Sequence, residues 1–179
     1  MIDDLKFRDE GVAGGQSIYA LSHAPGDYAC PFCQIINGLL DQDGIVVQGD
    51  AVVAIMSLHQ NPASPGTVLI CPRAHIENIY ELPDALAGKM LATAKRIAVA
   101  QKSALGCDGV TLRQHNEPAG GQDVWHLHLH VIPRRKGDHI GSRRGLKVMS
   151  IGERAELART LRSAIEAPGD VGKEKAHSR

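Results

Sequence analysis

The sequence predicts an α+β fold, a mostly antiparallel sheet with helices segregated from it. Three observations carry this. Short β-branched runs recur between Gly, Pro and Asp punctuation, a pair of them is joined by a tight turn at Gly49-Asp50, and one long amphipathic stretch interrupts the series. At 179 residues and 43% hydrophobic content, the chain suits one compact domain with short appendages.

Residues 1–27 mix charges with Gly11, Gly14, Gly15, Pro25 and Gly26 and read as an extension, with a short strand expected near Ser17-Ile18-Tyr19. Phe32, Ile35, Ile36 and Leu39 have helical spacing, so a short helix is expected from Cys33 to Leu40, ended by Asp41-Gln42-Asp43-Gly44. Ile45–Val47 and Ala51–Met56 form the hairpin. Thr67–Cys71 is the third strand, stopped by Pro72. Pro83-Asp84 opens a helix to about Leu105. Its stripe of Leu86, Met90, Leu91, Ala94, Ile97 and Ala98 faces the core, and Gly106 caps it. Val110–Arg113 is the fourth strand and Val124–Ile132 the fifth, ended by Pro133. A basic arm (136 onward) leads into a helix from Glu153 to Ala167, and 168–179 is expected to be a disordered tail.

The balance of charge narrows the function classes. Twenty basic residues match twenty acidic ones, which disfavours gripping a long polyanion, and 3% aromatic content leaves no platform for stacking bases. No apolar run reaches the ~20 residues of a membrane span, and residues 1–6 lack a basic-then-apolar leader pattern, so a cytoplasmic location is expected. In that setting Cys30-Pro31-Phe32-Cys33 reads better as a metal or redox pair than as a disulfide.

The chemistry concentrates in Trp125-His126-Leu127-His128-Leu129-His130-Val131. On a strand, alternate residues share a face, so three imidazoles line one side while Leu127, Leu129 and Val131 line the other. With nine histidines in 179 residues, chance rarely places three at every second position. Spacing alone leaves two chemistries open, a metal site or nucleophilic and acid–base catalysis. Gly120-Gly121-Gln122 just upstream offers backbone N–H groups that an anion can approach closely.

The segment Gly121 to Arg134 resembles the signature of the histidine triad (HIT) superfamily. Cys30-Pro31-Phe32-Cys33-Gln34-Ile35-Ile36 and Pro65 to Asn78 resemble its cysteine-containing opening and its central strand with the following loop, so the resemblance covers about residues 28–135. It implies a HIT-like five-stranded antiparallel sheet with one long helix, short flanking helices and an appended C-terminal helix. It also implies His128 as a nucleophile at a nucleotide α-phosphate, with its other nitrogen donating to a backbone carbonyl of its own strand. His130 and Gln122 would join the catalysis, and Gln122, His130, Asn116, His59 and Ile35 would bind the nucleotide. The base pocket would fall near Ile35, Val53, Ile55 and Leu69.

The resemblance is to a zinc-containing bacterial branch, which implies a structural zinc on Cys30, Cys33, His75 and His126, and a homodimer with no nucleic-acid or membrane partner. The implied activity is hydrolysis or transfer on a purine nucleoside phosphoramidate, with a dinucleoside polyphosphate hydrolase or phosphorylase as the alternative. A nucleotide sensor or scaffold with little turnover is a reading of another class. The chain departs from the common pattern at Thr67, at His59 in the ribose position, and at Asp123, where a carboxylate would repel phosphate.

Overall fold

The computed structural model describes residues 22–138 and 145–167. The expected strand at 17–19 and the expected disordered tail lie outside the described residues. A five-stranded antiparallel sheet has the spatial order β1-β2-β4-β6-β5. Its strands are β1 (Ile45–Gln48), β2 (Val52–Met56), β4 (Val68–Pro72), β5 (Gly109–Gln114) and β6 (Leu129–Arg134). The hairpin at Gly49-Asp50 joins β1 to β2 as expected.

Two helices cover one face of the sheet. Helix α2 (Asp84–Leu105) ends at Gly106, whose φ of 59° is the left-handed cap conformation. Helix α3 (Ile151–Glu166) starts with a capping box. The Ser150 hydroxyl accepts from Glu153 N–H, and the Glu153 side chain accepts from Ser150 N–H. Met90, Ala94, Ile97 and Ala100 of α2 and Ala158 and Leu161 of α3 join Val52, Ala54, Met56, Val68, Ile70, Leu127 and Val131 in one core. Arg154 pairs with Asp41, and Arg162 donates to the Ile45 carbonyl, tying α3 to the edge at β1. Helix α3 is thus part of the main core.

The opposite face carries a second cluster. Short helix α1 (Pro31–Ile36) lays Phe32 and Ile35 over Ile45, Val53, Ile55, Leu69 and Cys71. Two buried amides hold the central crossing. Gln60 donates to the Ser57 and Thr67 carbonyls and accepts from Gly66 and Thr67 N–H. Gln101 of α2 donates to the Gly66 and Val131 carbonyls. Gly66 has φ +117°, and a Cβ there would lie 2.4 Å from Leu105 Cδ1, so glycine lets the end of α2 close onto the loop before β4.

Four expectations are corrected. Helix α1 stops at Ile36, because Asn37 and Gly38 (φ +80°) turn the chain, and Leu39 is exposed. Leu91 points out of the α2 stripe, and Thr93 and Gln101 are buried in the helix instead. The fifth strand begins at Leu129 rather than Val124, because Leu127 N–H donates to Ile76 O in the loop after β4 and not across a ladder. The arm also contains strand β7 (Lys147–Val148), which pairs with β3 (His59–Gln60) as a separate two-stranded sheet.

Candidate active site and metal centre

Residues 126–130 keep the alternation of an extended chain although only Leu129 and His130 of them lie in the ladder. Leu127 enters the core beneath α2, and the three histidines turn to the face under α1. There His130 stands opposite Leu69 of β4 and Arg113 of β5. Phe32 of α1 meets His126 and His128 edge-on, at 5.8 and 5.1 Å between ring centroids. It closes one side of the row against solvent.

Each ring is oriented by a different contact. His128 Nδ1 lies 2.8 Å from the His126 carbonyl oxygen. A carbonyl only accepts, so Nδ1 carries the proton and Nε2 keeps the lone pair. This is the tautomer a nucleophile needs, and His128 is 4% exposed. His126 is held the other way round. Its Nε2 donates to the Pro72 carbonyl at 3.0 Å, which leaves Nδ1 unprotonated, 3.3 Å from Cys30 Sγ and 3.5 Å from Cys33 Sγ. His75 Nδ1 lies 3.2 Å from Cys33 Sγ.

One ligand atom from each of Cys30, Cys33, His75 and His126 falls within 4.8 Å of the others, a set able to hold a metal ion. A tetrahedral zinc with ordinary Zn–S and Zn–N bonds places N and S about 3.5 Å apart, close to the separations found. The Pro72 carbonyl behind His126 is the outer-shell acceptor that metal-bound imidazoles use. Desolvation, then the neighbouring Cys30, raises the Cys33 thiol to about 11, and burial raises Cys71 well above its ordinary value. Cys71 lies in the second core cluster and Cys107 is also buried.

His130 is less buried as a whole than His126 or His128, yet its Nε2 is shut off from solvent with no hydrogen-bond partner among the described residues. Burial first, then the charges of His128, His115 and Arg113, push its pKa down to about 3, against a small opposing pull from Asp123. Burial likewise pushes His126 down to about 4, with the Pro72 carbonyl opposing. Both rings are therefore neutral at ordinary pH.

Other expected site residues are placed differently. Gln122 donates to Glu77 O at 2.6 Å and Val124 O at 3.0 Å and accepts from Glu117 N–H at 2.8 Å, so its amide pins two loops and has no donor left for phosphate. The anticipated cradle of backbone N–H groups is engaged too. Gly120 and Gln122 N–H donate to Glu117 O, and Gly121 N–H donates to Pro118 O. Asn116 Oδ1 accepts from Ile79 N–H and Gln114, and its Nδ2 donates to Gln114 Oε1. His59 is exposed on β3, paired with Val148, with no contact to the histidine row. Ile35, Val53, Ile55 and Leu69 do come together, packed as core.

Sequence reasoning passed over His115. Its ring stands perpendicular to His130, with centroids 5.7 Å apart, at the end of β5. Its signal was a lone histidine next to the Asn116 that drew the assignment.

A family model described as "HIT domain" matches residues 41–137. Protein hit of Bacillus subtilis is 35% identical over 114 residues, 63% of this chain and 77% of that protein. An adenylylsulfatase of Arabidopsis thaliana is 30% identical over 122 residues, 68% of this chain and 60% of that protein. An adenosine 5'-monophosphoramidase of Saccharomyces cerevisiae is 30% identical over 109 residues, 61% of this chain and 65% of that protein. Among solved structures, a zinc-bound histidine triad family protein from Mycobacterium smegmatis superposes with a TM-score of 0.66 at 30% identity, covering 76% of this chain and 93% of that one.

The depressed His130 pKa has a thermodynamic consequence. The unfolded chain takes up a proton on this residue near pH 6.5, whereas the folded chain does so only near pH 3. The unfolded state therefore binds more protons between these values, and His130 contributes stability above pH 6.5 that is lost as pH falls toward 3. Urea midpoints of wild type and His130→Asn, measured from pH 7.5 to 4, will show the wild-type advantage shrinking with acid. A difference independent of pH would contradict the assignment.

Proposed function

The chain belongs to the HIT family, and from that premise we propose that it cleaves at the α-phosphate of a purine nucleoside phosphoramidate, through a nucleotidyl intermediate on His128. The observation that carries this reading is the bond from His128 Nδ1 to the His126 carbonyl, which leaves Nε2 as a neutral nucleophile. Nε2 attacks phosphorus, the P–N bond breaks, and the amine departs. Water then attacks the same phosphorus, and the P–Nε2 bond breaks to release the nucleoside monophosphate. One difficult displacement becomes two easier ones, and the protein's part is to hold Nε2 unprotonated and exclude bulk water. Phe32 does the latter by packing on His128.

The yeast relative's monophosphoramidase name supports a phosphoramidate, and the Arabidopsis relative's adenylylsulfatase name supports an adenylyl group joined to another leaving group. In this reading His130, held neutral by burial, serves the phosphate oxygens. Gln122 acts through the loops it pins rather than on phosphate directly. The Asn116 and His59 assignments find no support in their present contacts, and Ile35 remains as the apolar floor of the base site.

The metal held by Cys30, Cys33, His75 and His126 is zinc in this reading. A full set of four protein ligands makes it structural, bracing α1 against the chain entering β6. The zinc-bound Mycobacterium relative supports the choice of ion. The protein further acts as a homodimer. Edge strand β5 exposes Leu112, and α2 exposes Leu91, along an apolar groove that also includes Ala98 and Val110. Leu91→Asp with Leu112→Asp will halve the mass in sedimentation equilibrium, and an unchanged mass would exclude this face.

One experiment on three proteins tests the reading. Wild type, His128→Ala and Cys30→Ser/Cys33→Ser are compared for zinc content and for turnover of a fluorogenic adenosine phosphoramidate. His128→Ala will keep zinc and lose roughly a thousandfold or more in kcat/KM. The double cysteine variant will lose zinc. Equal turnover by wild type and His128→Ala would refute the nucleophile, and zinc lost from His128→Ala alone would place the metal on the triad.

A further inference from the structure

We propose that His115 is the proton donor to the leaving group, and that the same nitrogen then takes the proton from the attacking water. The inference rests on His128 being the nucleophile. The imidazoles lie in the order His128, His130, His115, with centroid separations of 4.9 Å and then 5.7 Å. In-line displacement puts the departing atom across phosphorus from the attacking one. With His128 at one end and His130 at the middle beside the phosphoryl oxygens, the far end is where a departing amine needs its proton.

The loop is shaped to present one nitrogen of His115. Its Nδ1 lies 2.6 Å from the Gly120 carbonyl oxygen, which can only accept, so Nδ1 carries a proton permanently. Nε2 has no hydrogen-bond partner among the described residues and is the nitrogen free to gain and lose a proton. Gly121 adopts φ +85°, and a Cβ there would lie 3.3 Å from His115 Nδ1, so this glycine accommodates both the turn and the ring.

The neighbours do not supply this proton. His130 has its Nε2 buried. Asn116 and Gln122 are amides engaged with neighbouring groups. Asp123, like Arg113 on β5, acts on His130 through its charge. A departing alkylamine is too basic to leave as an anion, and an imidazolium suits the task.

The steps balance. As His128 Nε2 bonds to phosphorus, the P–N electron pair passes to the amine nitrogen, which takes the Nε2 proton of imidazolium His115. The neutral His115 Nε2 then accepts a proton from water as its oxygen bonds to phosphorus and the P–Nε2 pair returns to His128. His115 ends protonated, ready for another turnover.

The test compares two adenylyl substrates whose leaving groups differ in the need for that proton, an adenosine 5'-alkylphosphoramidate and the p-nitrophenyl ester of AMP. In His115→Asn and His115→Gln, kcat/KM for the phosphoramidate will fall by about 10²- to 10⁴-fold. For the nitrophenyl ester it will fall by less than about tenfold, because nitrophenolate leaves unprotonated. The ester will also give a burst of nitrophenolate followed by slow turnover, since water attack has lost its base. Equal losses on both substrates, or no loss on either, would overturn the role of His115. A wild-type enzyme that releases AMP from neither substrate would instead remove the His128 reading on which the role rests.

Discussion

The site depends on one repeated constraint, in which a backbone carbonyl holds one nitrogen of an imidazole and thereby decides what the other can do. Pro72 O takes His126 by Nε2, so Nδ1 turns to the two thiols. His126 O takes His128 by Nδ1, so Nε2 keeps a lone pair. Gly120 O takes His115 by Nδ1 in the same sense. The tied end separates His126, which turns Nδ1 to the thiols, from His128 and His115, which both present Nε2. His130 is the exception, its Nε2 buried and unpartnered among the described residues, and it stays neutral because charging it would cost desolvation.

This constraint is only as good as the backbone that supplies the carbonyls. Pro72 ends β4, in the middle of the sheet, and Leu127 N–H anchors the approach to β6 on Ile76 O. Leu127, 1% exposed, is locked into the core under α2, so the neighbouring histidines have little freedom to turn. On the other face, α1 brings both its thiols and Phe32 to the row. A metal at Cys30, Cys33, His75 and His126 would join α1, the loop after β4 and the entry to β6 at one point, next to His128.

Much of this was legible in the sequence where the signal is local. The helix at 84–105 and its Gly106 cap follow from spacing and one glycine, and the alternation from His126 to His130 follows from the period of an extended chain. The metal set was legible only through a resemblance, because Cys30 and His126 are 96 residues apart. What depended on distant partners was not. The pairing of β3 with β7 joins two-residue strands far apart in the chain. Gln122 reads as a phosphate donor until Glu77 O and Val124 O are seen to use its amide. His115 gave no pattern of its own, since its significance lies in the ring it faces across β5 and β6.

We propose that His128 Nε2, left unprotonated by the bond from Nδ1 to His126 O, forms a covalent bond to the nucleotide. The direct measurement is mass spectrometry of enzyme quenched during turnover of the nitrophenyl ester of AMP and digested under conditions that preserve phosphohistidine. The account predicts an added AMP mass on the peptide carrying His126, His128 and His130, mapped by fragmentation to His128 and absent from His128→Ala. An adduct on His126 or His130, or AMP release with no adduct at any time point, would contradict it.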